Sequence, residues 1–282
     1  MDIESRRQMA ALLDFCRELG CTDFYRDKND TRPYQPMAFA APAPAATAAP
    51  IAQKTTPKVQ ELKPAMPRKP VLIYDPPLEI MPMPPVFSPQ EKADKLVDIR
   101  DDLGDCTRCP LCETRNKIVF GDGDPNAALM FVGEGPGADE DAQGLPFVGR
   151  GGQLLNNMIS AMGLRRDQVY IANIVKCRPP QNRVPEPIEA NTCTPFLFRQ
   201  IEAVQPRMLV ALGATAATYL LGVKTSLSSL RGRIHDCHGA KLIVTYHPAY
   251  LLRDPRQKGE AWKDLQLAMQ FLGLKSPEKN KS

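Results

Sequence analysis

Two hydrophobic patterns alternate along the second two-thirds of the chain. Short continuous apolar runs stand at 128–133 (ALMFVG), 169–175 (VYIANIV), 208–213 (MLVALG) and 241–246 (KLIVTY). Between and after them lie stretches with helical spacing: RGGQLLNNMISAMG, PIEANTCTPFLFRQIEAV, ATAATYLLG and GEAWKDLQLAMQFLG. Unbroken apolar strands separated by helices are the mark of a parallel sheet buried on both faces, because each crossover lays a helix over the sheet. The expected fold class is therefore α/β, a three-layer α/β/α sandwich with a central, mostly parallel sheet. The segment SPQEKADKLVDIRDDLG supplies a helix start, with Ser88 as cap, Pro89 at the first helical position and Glu91 three residues after the cap. These signals set the expected domain at 88–274, followed by a short polar tail at 275–282.

Upstream the pattern changes. Fifteen of the 28 prolines fall between Pro33 and Pro89, mixed with alanine in runs such as AFAAPAPAATAAP. Such a chain cannot bury enough apolar surface to fold alone, so 31–87 is expected to be a disordered linker. Before it, Met9, Leu12, Leu13, Cys16 and Leu19 recur at helical spacing and Gly20 ends the run. A short amphipathic helix within 1–30 follows, expected to tuck against the main domain or, with the linker, to engage a protein partner.

Charge and composition narrow the function classes. At 282 residues, 43% hydrophobic and 24% charged, the chain is an ordinary globular one. It shows neither an 18-residue apolar run nor a basic leader followed by an apolar stretch, which predicts a soluble, cytoplasmic protein with no membrane partner. The net charge of +4 is too small to imply nucleic acid by itself. Its distribution says more: residues 171–256 hold eleven Lys/Arg against five Asp/Glu, a half-chain able to face phosphates.

In open α/β sheets ligands bind beyond the carboxyl ends of the strands, so the residues after each strand carry the functional information. The first strand leads into GEGPGADED (133–141). This loop has neither a Walker lysine nor dinucleotide spacing, and four acidic residues within it would repel phosphate. Gly133 and Gly135 instead allow close backbone approach to a small neutral ligand, with Glu134 supplying a carboxylate. Phe147, in GLPFVGR, is placed to stack on a flat ring. Asn173 ends the second strand; its amide offers a donor beside an acceptor, which matches the O4 acceptor and N3–H donor of uracil. The last strand runs into YHPAYLLR, bringing His247 to the same edge.

Eight cysteines in a chain without a secretion signal point to metal or redox chemistry rather than to disulfides. Cys106, Cys109 and Cys112 stand in CTRCPLC, while Cys177 and Cys193 flank the loop after the Asn173 strand. Two distant pairs of thiolates are able to enclose zinc or an iron–sulfur cluster, and a CxxC pair also serves redox exchange; spacing alone leaves these open.

Taken together, CTRC, IVFGDGDPNA, LMFVGEGPGADED, GLPFVGRGGQLLN, VYIANIVKCRPPQNR, the spaced Cys193, LGATAA, LRG and HPAYLLR resemble the family 4 uracil-DNA glycosylases, the iron–sulfur type of bacteria and archaea. The likeness runs from about Cys106 to Gly273. It implies a uracil-DNA glycosylase-like fold, and a DNA repair hydrolase that cleaves the N-glycosidic bond of uracil in DNA, acting as a monomer. It also implies a [4Fe–4S] cluster held by Cys106, Cys109, Cys177 and Cys193, with Cys112 left as an extra thiol. The uracil pocket is implied at Gly133, Gly135, Phe147, Asn173 and His247, with Glu134 and His247 as catalytic groups. Glu140 and Asp141 are alternative carboxylates, since this chain carries Gly135 where family 1 enzymes place their water-activating aspartate.

A buried uracil is unreachable unless flipped from the duplex. The YLLR segment suits that step, with Leu251 or Leu252 as an apolar wedge and Arg253 on a phosphate. Lys176, Arg178 and Arg183 are expected to present a basic edge to DNA, held rigid by the cluster. Two rival readings use the same residues: a non-catalytic module that binds uracil-containing or damaged DNA, and a zinc-stabilised nucleic-acid-binding domain.

Overall fold

The computed structural model describes residues 71–72 and 86–275. The expected N-terminal helix, the rest of the linker and the tail beyond residue 275 lie outside the described residues. Six strands form one sheet in the order β2 (Asp122–Gly123), β4 (Tyr170–Asn173), β3 (Leu129–Gly133), β5 (Met208–Leu212), β8 (Ala240–Thr245) and β7 (Ile234–Cys237). The four strands expected from apolar runs are β3, β4, β5 and β8, and all four are parallel. The two edge strands, β2 and β7, pair antiparallel with their neighbours. Within the expected linker, β1 (Val71–Leu72) pairs antiparallel with β6 (Val223–Lys224).

The strands sort their side chains by alternation, as a pleated sheet must. On one face Met130, Val132, Leu209, Ala211, Leu242 and Val244 pack against helices α1 (Pro89–Leu103), α4 (Pro187–Val204) and α5 (Ala214–Leu221). On the other, Leu129, Phe131, Met208, Val210 and Ile243 meet α3 (Arg150–Ala161), α7 (Pro248–Arg253) and α8 (Lys258–Leu272). Each such fully buried aliphatic side chain stabilises the fold by roughly 1.5–3 kcal/mol, so both layers are strongly held. Two short helices, α2 (Ala138–Gln143) and α6 (Leu227–Leu230), complete the described set. The domain boundary foreseen at 88 is a capping box: Glu91 N donates to Ser88 Oγ at 3.3 Å and Ser88 N to Glu91 Oε2 at 2.7 Å.

Strand order decides where a ligand can sit. From β3 the chain passes through α2 and α3 to β4 on one side. Then α4 carries it back past β3 to β5 on the other. The two crossovers diverge beyond the carboxyl ends of β3 and β5, which opens a crevice there.

Candidate active site

A cavity of about 710 Å³ occupies that crevice, and Glu134, Gly135, Phe147, Asn173, His247 and Arg253 all line it. Residues expected from four separate stretches of sequence thus meet in one place. Parallel pairing sets Gly133 directly beside Asn173. A Cβ on Gly133 would stand 2.4 Å from Asn173 Oδ1 and 2.6 Å from Phe147 Cζ, so the glycine is what lets the amide and the ring close on the strand end. Asn173 is 1% exposed, and its Oδ1 has no hydrogen-bond partner. An unpaired buried acceptor costs ~1–3 kcal/mol, which a ligand N–H at that point would offset.

Phe147 is buried and holds a φ of 52°, a left-handed conformation that a bulky aromatic rarely adopts. Gly152 makes room for it, since a Cβ there would lie 1.9 Å from the Phe147 carbonyl oxygen. The Phe147 and His247 rings stand 5.6 Å apart, tilted by 33°, forming two walls of the cavity.

His247 caps α7: its Nδ1 accepts from Ala249 N at 3.1 Å. With Nδ1 an acceptor, the neutral ring carries its proton on Nε2 and presents an N–H donor. Burial pulls its pKa down from 6.5 to about 4; the nearby Arg253 charge adds to this and Glu140 opposes it. The ring is therefore neutral at physiological pH.

The three candidate carboxylates separate clearly. Glu134 accepts from Thr215, which lies just beyond β5, so this pair bridges the crevice where the crossovers diverge. Glu140 is occupied by backbone: Oε1 accepts from Val148 N at 2.9 Å and Gly149 N at 3.0 Å, and Oε2 from Gly137 N at 3.1 Å. Asp141 is fully buried and accepts from Asn116 N at 2.8 Å and Asn116 Nδ2 at 2.5 Å. Both hold loops in place; Glu134, like Asp139, lines the cavity.

Several expected DNA contacts need correction. Leu251 is 0% exposed, packed into the core beneath α7, so it cannot leave to wedge a base stack; Leu252, the alternative, is only half-buried. Lys176 is not on a basic edge either. It is fully buried, donating from Nζ to Asn173 O at 2.9 Å and Gln200 Oε1 at 2.5 Å, and burial lowers its pKa to about 8. Arg183 lines the cavity, but its guanidinium forks onto the buried Glu189 at 2.8 and 2.6 Å. Much of its charge is neutralised by the first turn of α4. Arg178 donates to Asn182 Oδ1 at 2.8 Å and stays half-exposed, and Arg253 is exposed at the cavity mouth.

Cys106, Cys109, Cys177 and Cys193 pack beside the α1–α4 layer, and the neighbouring thiols add to the upward pKa shifts that burial gives Cys109, Cys177 and Cys193. N–H donors point at the sulfurs: Arg108 Nη1 reaches Cys106 Sγ at 3.4 Å, Arg115 Nη1 reaches Cys177 Sγ at 3.6 Å and Lys176 N reaches Cys193 Sγ at 3.3 Å. Burial pushes the Cys177 thiol up to about 12 and raises Cys109 and Cys193, so only a strongly binding cationic centre would hold them as thiolates. Among the described residues no three His, Cys, Asp or Glu side chains close around a single-ion site. Four thiols with N–H donors aimed at their sulfurs form a donor set that fits an iron–sulfur cluster.

Arg166 was not foreseen from sequence. It donates to the carbonyls of Pro146 and Phe147 from outside the cavity, and no periodicity or motif signals such a contact.

Comparison with known proteins places the chain in one superfamily. Residues 120–266 match the family model of the uracil DNA glycosylase superfamily. A type-4 uracil-DNA glycosylase of Thermotoga maritima is 49% identical over 151 residues, covering 53% of this chain and 79% of that protein. One from Archaeoglobus fulgidus is 39% identical over 192 residues, covering 65% of this chain and 96% of that protein. A third, from Pyrobaculum aerophilum, is 44% identical over 179 residues.

Proposed function

The chain belongs to the type-4 uracil-DNA glycosylases of the uracil DNA glycosylase superfamily, and from that premise we propose how its residues excise uracil from DNA. The enzyme hydrolyses the N-glycosidic bond between uracil and deoxyribose, releasing the free base and leaving an abasic site for repair. The observation that carries the site assignment is the unpartnered, buried Asn173 Oδ1 facing Gly133 beside the Phe147 ring.

The nucleotide must first be turned out of the helix, at a cost of a few kcal/mol in stacking. In our reading Leu252 and the exposed Arg253, on α7, engage the vacated stack and a phosphate. Arg178, in the loop after β4, contributes a further phosphate contact. The uracil then lies on Phe147, while Asn173 accepts from N3–H and donates to O4. Cytosine presents the opposite pattern there and is rejected, because buried polar partners left unpaired are costly.

As the glycosidic bond breaks, the base gathers negative charge and the sugar positive charge. The Nε2–H of neutral His247 stabilises charge at O2. Glu134, oriented by Thr215, faces the sugar side, where its carboxylate offsets the oxocarbenium charge and orients the attacking water.

Cys106, Cys109, Cys177 and Cys193 would hold the [4Fe–4S] cluster. When bound, the cluster supplies a rigid tie between the turn before β2 and the loop after Asn173. Hydrolysis moves no electrons, so none need pass through it. Among the described residues no helix is long and apolar enough to cross a membrane. A monomer in a reducing cytoplasm suffices, since every group invoked lies on one chain and four thiolates persist there.

Two measurements test this account. Incubation with a uracil-containing oligonucleotide followed by alkaline cleavage should cut the strand at uracil, and Glu134→Gln should slow excision by about 10²-fold or more. Full activity of that variant removes Glu134 from the chemistry, and no scission by the parent chain at enzyme excess favours the non-catalytic DNA-binding reading. Protein purified without oxygen should be brown, absorbing broadly at about 400 nm, and Cys177→Ala should bleach it. A colourless, zinc-loaded preparation refutes the cluster.

A further inference from the structure

The corner at Pro146–Phe147 combines an unfavourable backbone with an exacting task. Phe147 keeps its left-handed φ of 52° while its ring forms a wall of the cavity. A residue in that region relaxes unless its surroundings hold it.

Arg166 does the holding. It stands at the start of the single helical turn Arg166–Gln168, just before β4. Its Nη1 donates to Phe147 O at 3.1 Å and to Asn156 Oδ1 at 3.0 Å. Its Nη2 donates to Pro146 O at 2.5 Å and faces Asp122 Oδ2 at 3.5 Å. One planar group thus grips two successive carbonyls of the corner and is itself fixed by an amide on α3 and a carboxylate on β2. The Asp122 anchor belongs to the GDGD run, a motif to which no step of the reaction has assigned a part. Arg166 does not line the cavity, so any effect on the base passes through Phe147.

We propose that Arg166 is a positioning residue: anchored on Asp122 and Asn156, it locks the Pro146–Phe147 carbonyls and so fixes the plane on which the extruded base stacks. The inference rests on the reading of Phe147 as the stacking ring. It also accounts for the residue type. The acceptors diverge around a flat fork of five N–H donors, which arginine supplies and the single ammonium of lysine satisfies only in part.

The test compares the full-length parent with Arg166→Met, Arg166→Lys, Phe147→Ala and the Met/Ala double variant. Free uracil serves as competitive probe during excision from a single-stranded uracil oligonucleotide, and kcat and KM are separated. Arg166→Met should weaken inhibition by uracil roughly tenfold, raising KM more than it lowers kcat, and Arg166→Lys should recover part of the loss. In the Phe147→Ala background the Met substitution should add nothing, because both changes remove one interaction. Unchanged uracil inhibition in Arg166→Met alongside an impaired Phe147→Ala overturns the inference and leaves the stacking reading intact. Additive losses in the double variant also overturn it, since they mean general destabilisation. Should Phe147→Ala bind uracil as the parent does, the stacking reading fails and the inference fails with it.

Discussion

With alanine in place of His247, uracil release is expected to slow by about 10²- to 10³-fold, the loss typical of removing one preorganised donor to a developing anion. Binding to uracil-containing DNA should change little, because the donor is used fully only as charge builds on the base. Single-turnover rates and a binding isotherm on the same oligonucleotide separate the two; a loss confined to binding would refute the role. The environment of the ring adds a pH test. Burial holds the pKa near 4, below the ordinary 6.5, so the parent's rate should show no His247 limb at 6.5 and should fall only as pH approaches 4. Stability has the same origin. The unfolded chain takes up the proton first, so the fold loses stability as pH falls from 6.5 through about 4. This loss should be absent from the alanine variant.

Asn173→Asp is expected to cost excision of uracil about 10³-fold or more, since a carboxylate faces O4 where an amide N–H was needed. At neutral pH the introduced carboxyl is mainly ionised, which sets an acceptor against O4, while burial raises the share of its neutral form. A neutral carboxyl donates to N3 of cytosine and accepts from its amino group, so slow release of cytosine should appear. Assays on paired uracil and cytosine oligonucleotides decide this. A variant equal to the parent on uracil removes Asn173 from recognition.

The central strands were legible because burial on both faces demands continuous apolar runs, and LMFVG, YIAN, MLVAL and AKLIVT all carry them. The edges were not. β2 is the dipeptide Asp-Gly, and β7 reads IHDC with only its last residue buried, so neither shows a pattern of its own. The residues that meet at the cavity were legible for a topological reason: strand ends in a parallel sheet converge, and the chain order names them. Residues whose roles depend on packing were misread. YLLR does not disclose that α7 turns Leu251 inward against the core, and a lysine beside a cysteine reads as surface charge until Gln200 and the Asn173 carbonyl are seen around it. Arg166 escaped altogether, because its partners lie on β2, α3 and the Phe147 corner and only tertiary structure assembles them.

The pairing of Gly133 with Asn173 has an evolutionary consequence. Along β4 and just beyond it, Ala172 and Ile174 point into the α1–α4 layer. A phase shift of one residue between β3 and β4 would swing the Asn173 amide into that greasy interior and turn an aliphatic side chain toward the base. Apolar exchanges within these strands leave the phase untouched, whereas a single-codon insertion or deletion in either strand blinds the enzyme even where the sheet still forms. Lineages of this protein should therefore vary among apolar residues along β3 and β4, Gly133 and Asn173 excepted, and hardly at all in the length of either strand.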